Sequence, residues 1–230
     1  MKIKAIALNT FKEAIRDRVL YLLLFVALGT LLFSRLLALL TVGDRVKIIT
    51  DTGMTSLSLF GALMAILIGT GLVYKEIDKK TIYTLLSKPI HRWQFLLGKF
   101  LGLILVLFVM LFLMSLIFVL ILLAHSGTVA WGLFLALAFI FLEMCLITAV
   151  ALLFSCFSTP ILSSVFSLAF YLIGHVSYGL ETLIGKIDSG LWKFLAQVMY
   201  TLIPDLENFN FKTEIVHHLP IPPQAFLYSA

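Results

Sequence analysis

Five long apolar stretches, at 19–42, 57–74, 95–124, 129–157 and 161–184, set the rhythm of this chain. Their interiors are almost free of charge: Arg35 lies late in the first, Lys99 early in the third, Glu143 within the fourth, and Glu181 near the end of the fifth. A helix needs about 20 residues to cross a bilayer, and as a helix it satisfies its own backbone groups there. Five membrane-spanning helices are therefore predicted, with Arg35 close enough to an end to snorkel. Before them, residues 1–18 place Ile3, Ala7, Phe11, Ala14 and Ile15 at helical spacing. Lys2, Lys4, Asn9, Lys12, Glu13, Arg16 and Asp17 fall largely on the other side, which predicts an amphipathic helix at the membrane interface. The apolar run that follows is too long for a signal peptide, and no cleavage pattern closes it. After the fifth span, Leu191, Phe194, Leu195, Val198, Met199 and Leu202 repeat with helical period up to Pro204, predicting a second amphipathic helix. The rest, with Pro220, Pro222 and Pro223, reads as irregular. The expected fold is an all-α integral membrane protein: one transmembrane domain over 1–230, a polytopic bundle with an amphipathic helix at each end.

Composition agrees with this pattern. Of 230 residues, 61% are hydrophobic and 13% charged, where a soluble domain is about half apolar and about a quarter charged. A chain this short cannot hide that excess in one core. The net charge of +5 does not indicate nucleic acid, because the cations flank apolar runs instead of forming a stripe. Placed so, they fix topology and meet anionic lipid. Lys2, Lys4, Lys12, Arg16, Arg18, Lys75, Lys79, Lys80, Lys88, Arg92 and Lys99 belong to one side. Arg45, Lys47, Lys186, Lys193 and Lys212 belong to the other, with Arg35 at its edge. The positive-inside rule puts the N-terminus and the 75–94 loop in the cytoplasm and 185–230 outside. Cys145 and Cys156 are eleven residues apart on one helix, about 16 Å, too far for a disulfide. No zinc spacing is present, and both read as packing residues.

The loop from Tyr74 to Lys99 carries the most information. Ile82, Leu85 and Leu86 share one face of a short helix, with Ile77 near that stripe, and Lys88-Pro89 should end it. An apolar ridge in a polar frame suits a groove on a partner or, alternatively, the lipid surface. This loop resembles the coupling segment of type-two ATP-binding-cassette exporter permeases through Glu76, Thr81, Leu85-Leu86-Ser87, Pro89, Arg92 and Gly98-Lys99. It departs at Lys80, where glycine is usual. The resemblance extends over the amphipathic start, the acid of the fourth span, Gly174-His175 in the fifth, and PDLENFNF at 204–211. It implies a separate cytoplasmic ATPase subunit that grips the loop at Glu76, Thr81, Ile82, Leu85, Leu86, Pro89 and Arg92, and that binds the ATP and Mg. It also implies a second permease copy or paralogue, and a bacterial inner-membrane location. A sixth span is expected where the sequence stops at Ala230, as though the polypeptide were truncated. The chain has no G-x-x-x-x-G-K-[ST], so it is expected to hold no cofactor and to do no hydrolysis itself.

Within the spans, Glu143 is costly unless it is neutralised, partnered or turned inward. If spans four and five form a hairpin near Ser158, Glu143 and His175 lie at similar depths, about 22–26 Å from the turn. They are expected to pair, or each to be satisfied separately by backbone or serine. Gly61, Ala65 and Gly69, and Gly98 with Gly102, repeat at four-residue spacing and allow close helix approach, within the chain or between two permeases. His217-His218, with Glu207 and Glu214, lack a convincing third ligand and read as a solvated loop. No H-E-x-x-H or G-x-S-x-G supports a membrane enzyme. A non-transporting anchor worked by an ATPase, and a secondary transporter relaying protons through Glu143, remain alternatives to an exporter permease.

Overall fold

The computed structural model describes residues 2–40, 45–78, 91–127 and 131–184, with side chains described except at 72–78, 92 and 176–184. These residues form six helices: α1 Lys2–Ile15, α2 Arg18–Leu40, α3 Arg45–Asp78, α4 Arg92–Ser126, α5 Gly132–Ser155 and α6 Pro160–Ile184. No strand occurs among the described residues. Four of the helices (α2, α3, α4 and α5) are long and apolar enough to cross a membrane. The fifth, α6, has 25 residues and is ~37 Å long.

Local chemistry explains the breaks. Asp17 Oδ1 accepts the Val19 N–H at 3.0 Å, an N-cap that separates α2 from α1. At the end of α4, Gly127 adopts φ 68° and returns its N–H to Leu123 O, the left-handed stop that glycine makes cheaply. Pro160 opens α6, where its missing N–H costs nothing.

The central helix is α3. Its apolar window is 67% buried, against 22% for α2, and it packs on α2, α4, α5 and α6. Its small residues make this possible: Gly53 lies under Phe118, Gly61 under Met144, and Gly69 against the Ala151 side chain. The last two contacts, with Ser155 Oγ donating to Thr70 O at 3.1 Å, advance together along both chains, so α3 and α5 run in the same direction. Buried hydroxyls are satisfied locally, as where Thr70 Oγ1 donates to Ile66 O at 2.8 Å and Thr148 Oγ1 to Met144 O at 2.7 Å. Such bonds let α3 be both polar in places and buried. Outward faces carry Phe25, Phe33 and Leu36 on α2, Leu101, Phe108 and Phe112 on α4, and Ile161 and Val165 on α6, all exposed. In a bilayer these meet acyl chains.

Several boundaries differ from the sequence expectation. The largest difference is at α3, which begins at Arg45 and not near 57. Hydropathy falls across the polar stretch 45–56, but the helix continues because Thr50 Oγ1 and Ser56 Oγ bond back to Val46 O and Thr52 O, each at 2.8 Å. At 34 and 35 residues, α3 and α4 are each ~50 Å long, about 20 Å more than the hydrocarbon layer. The first amphipathic helix spans Lys2–Ile15, and its apolar side is covered by α4. The expected helix around 191–202 lies outside the described residues, as does the whole of 185–230.

Gly53 and Gly61 make different demands. A Cβ on Gly53 would strike the fully buried Phe118 ring, whereas one on Gly61 meets the tip of Met144. A thioether with three rotatable bonds can step aside, and alanine gains about 1 kcal/mol of helix propensity over glycine. Gly61→Ala should therefore be near neutral, while Gly53→Ala should cost about 1–3 kcal/mol by overpacking. Thermal melting of both variants in one detergent checks the order.

Candidate functional site

Two polar groupings stand out inside the bundle, both built by α3, α5 and α6. In the first, Glu143 is 3% exposed at the middle of α5. Ser58 Oγ of α3 donates to Glu143 Oε2 at 3.3 Å, and His175 Nε2 of α6 lies 3.6 Å from Glu143 Oε1. The Tyr171 ring packs on His175, with centroids 4.5 Å apart. Three helices thus meet at one carboxyl group. A polar group in a span is tolerated when it faces such an interior.

The second grouping lies about three turns further along α3. Thr70 Oγ1 and Ser164 Oγ are 2.9 Å apart, Ser155 Oγ reaches Thr70 O, and Ser163 Oγ donates to Phe154 O at 3.0 Å. These bonds tie α3 to both arms of the α5–α6 hairpin just before α3 leaves toward residues 79–90. The two groupings form a polar column through an otherwise apolar bundle. It can hold three helices in one register, since these polar contacts between helices are made only when the three are aligned.

A third feature fastens α1. Gly98 sits beneath Ile6 and the Ile3 carbonyl, and Gly102 beneath the Ala7 carbonyl and Thr10. Lys99, between them, is 1% exposed and among the largest fully buried side chains. Its Nζ lies 3.8 Å from Glu13 Oε2 of α1 and 5.9 Å from the Phe95 ring centroid. Full burial of a lysine is uncommon without a partner.

The expected site residues divide accordingly. Glu143 and His175 are brought together, and Ser58 joins them. Gly61, Ala65 and Gly69 are buried along α3, where Gly61 and Gly69 face α5; Gly98 and Gly102 face α1. Their small-residue spacing serves packing within the chain. Glu76 lies on α3 and Arg92 at the start of α4, with side chains not described. Thr81, Ile82, Leu85, Leu86 and Pro89 lie outside the described residues, as do His217 and His218. Among the described residues no group of three or more His, Cys, Asp or Glu could hold a metal. Sequence reading missed Ser58, Thr70, Ser155 and Ser164 because isolated hydroxyls in a span carry no period. The Lys99–Glu13 contact was equally hidden, since the two residues are 86 apart.

An apolar exterior around an internal polar column defines a multi-pass integral membrane protein. Within that class, the chain belongs to the ABC-2 transporters, since the model of the ABC-2 family transporter protein matches residues 4–184. It is accordingly a permease subunit of an ABC transporter. No curated protein matches the chain. Neither of its Gly-Lys pairs suits a phosphate-binding loop: Gly98-Lys99 is followed by Phe100 and Gly185-Lys186 by Ile187, where a hydroxyl residue is needed.

Proposed function

We propose that this permease serves an exporter, with a separate cytoplasmic ATPase subunit docking on the 75–94 segment, whose ends belong to α3 and α4, and binding the ATP and Mg. The N-terminus faces the cytoplasm, by the distribution of cations, and the membrane is a bacterial inner membrane. The observation that carries the reading is the position of α3. It packs against every other described span, and its end at Asp78 leads into the segment from which α4 departs at Arg92. A push on that segment would be delivered to the central helix and, through the Thr70–Ser155–Ser164 bonds, to the α5–α6 hairpin. A second permease copy or paralogue completes the pathway. It meets surfaces other than the small-residue faces at Gly61, Gly69, Gly98 and Gly102, which this chain fills itself.

Affinity purification of the tagged chain in mild detergent tests the proposal. An ATP-hydrolysing protein should copurify, and Leu85→Asp or Leu86→Asp should reduce its recovery about tenfold or more, as removal of a central apolar anchor does. Full recovery with both variants would overturn the docking role of the loop.

A further inference from the structure

We propose that two copies of this chain meet through the outer ends of α2 and α3, where Arg35 of each copy pairs with Asp51 of the other. This rests on the reading above that a second permease completes the pathway, and it names both the partner, a copy of this chain, and the surface used. Arg35 lies about 8 Å along α2 from its end at Leu40, and Asp51 about 9 Å along α3 from its start at Arg45. Only residues 41–44 separate those two ends, and the helices pack on one another, so the cation and the acid stand at one depth. Both are exposed. Among the described residues neither has an ion-pair partner, whereas Lys47, one turn before Asp51, is already engaged within the chain.

The surroundings of the pair suit neither water nor lipid. At this level α2 exposes Leu36, Leu39 and Leu40, at 54%, 57% and 81%, an apolar patch that water disfavours. Beside it α3 exposes Asp51 and Thr55, and an acid against acyl chains is costly. Arginine can snorkel to a surface on its long stem; aspartate, with a single methylene, cannot. Leu59, also exposed, follows Asp51 and Thr55 at four-residue spacing, so the three line one edge of α3. A protein surface with both apolar and charged ground fits this mixture.

A second copy supplies such a surface by symmetry. Two copies inserted the same way round are related by a twofold axis along the membrane normal, which keeps every residue at its own depth. In that isologous contact residue i meets j and j meets i. Arg35 and Asp51, equal in depth and opposite in charge, then form two identical pairs, with the α2 leucines beside them to exclude water.

Co-expression of two copies carrying different affinity tags tests the interface: one tag is captured in mild detergent and recovery of the other is measured. Two wild-type copies should copurify. Two copies of Arg35→Glu, or two of Asp51→Arg, oppose like charges at both pairs, and recovery should fall about tenfold or more. One copy of Arg35→Glu with one of Asp51→Arg has opposite charges at both pairs again and should return to within about twofold of wild type. Asp51→Asn, which keeps the shape, should lower recovery about fivefold and serves if the reversed charges do not fold. Wild-type recovery from both single variants would overturn the interface while leaving a dimer made elsewhere. Failure of two wild-type copies to copurify would overturn the second copy itself. Rescue by both reversals in one chain, but not by the mixture, would place the pair within the chain and overturn its role between copies.

Discussion

Replacing Gly102 by leucine should detach α1 from α4. A Cβ at this position comes within 2.6 Å of both the Ala7 carbonyl oxygen and Thr10 Cβ. The first is backbone and the second belongs to a fully buried residue, so neither can rotate aside. Alanine alone is therefore strained, even after about 1 kcal/mol of improved helix propensity. Leucine adds three further carbons to a contact with no spare space, and overpacking costs typically 1–3 kcal/mol or more. The cheapest relief is for α1 to lift away. Spin labels at Leu8 and Leu97, both exposed, with Cys145 and Cys156 changed to serine, should give one narrow distance in the parent. With Gly102→Leu that distance should broaden and lengthen. Gly29→Leu is the control, because beyond its own stretch of helix no atom lies within 4 Å of its Cβ position, and it should leave the distance unchanged. An unaltered distribution with Gly102→Leu would show that α1 does not depend on this close approach.

The apolar runs made the helices legible because lipid imposes a length on every crossing segment. Sequence hydropathy could not show where a helix continues beyond the apolar layer, which is why Arg45–Ser56 escaped it. Backbone hydrogen bonding does not stop where hydropathy falls, and the back-bonded Thr50 and Ser56 mark the continuation. The depths of Glu143 and His175 could be counted from Ser158, since both arms of a hairpin rise equally per residue. Their rotation about the helix axes could not, because α5 is apolar all round and has no preferred face. The meeting of Glu143 with Ser58 depends on that rotation and on the parallel course of α3 and α5, a tertiary fact. The partner of α1 was hidden for a related reason. An amphipathic helix needs an apolar surface, and sequence alone does not distinguish a bilayer from a neighbouring helix, whereas Gly98 and Gly102 on α4 provide the neighbour.

Among substitutions in the polar column, Glu143→Ala should be the most damaging. It removes the group that α3, α5 and α6 share and takes away the carboxyl that faces His175 Nε2 at 3.6 Å. Ser58→Ala should be mild, because the carboxyl still faces His175. In the reverse case, with Glu143 gone, the Ser58 hydroxyl can turn back to its own helix as Ser56 does. A double-mutant cycle with Glu143→Gln and His175→Gln should give a coupling of about 1 kcal/mol. The cycle with Ser58→Ala should give nearer 0.6 kcal/mol, the average for hydrogen bonds between spans. Reversible unfolding in mixed micelles supplies these energies without any knowledge of cargo. Strict additivity of Glu143→Gln and His175→Gln would mean that the 3.6 Å approach contributes no stability. The energetic link between α5 and α6 would then reside in the lower hydroxyls, and Ser163→Ala with Thr70→Val should be the pair that loosens the hairpin.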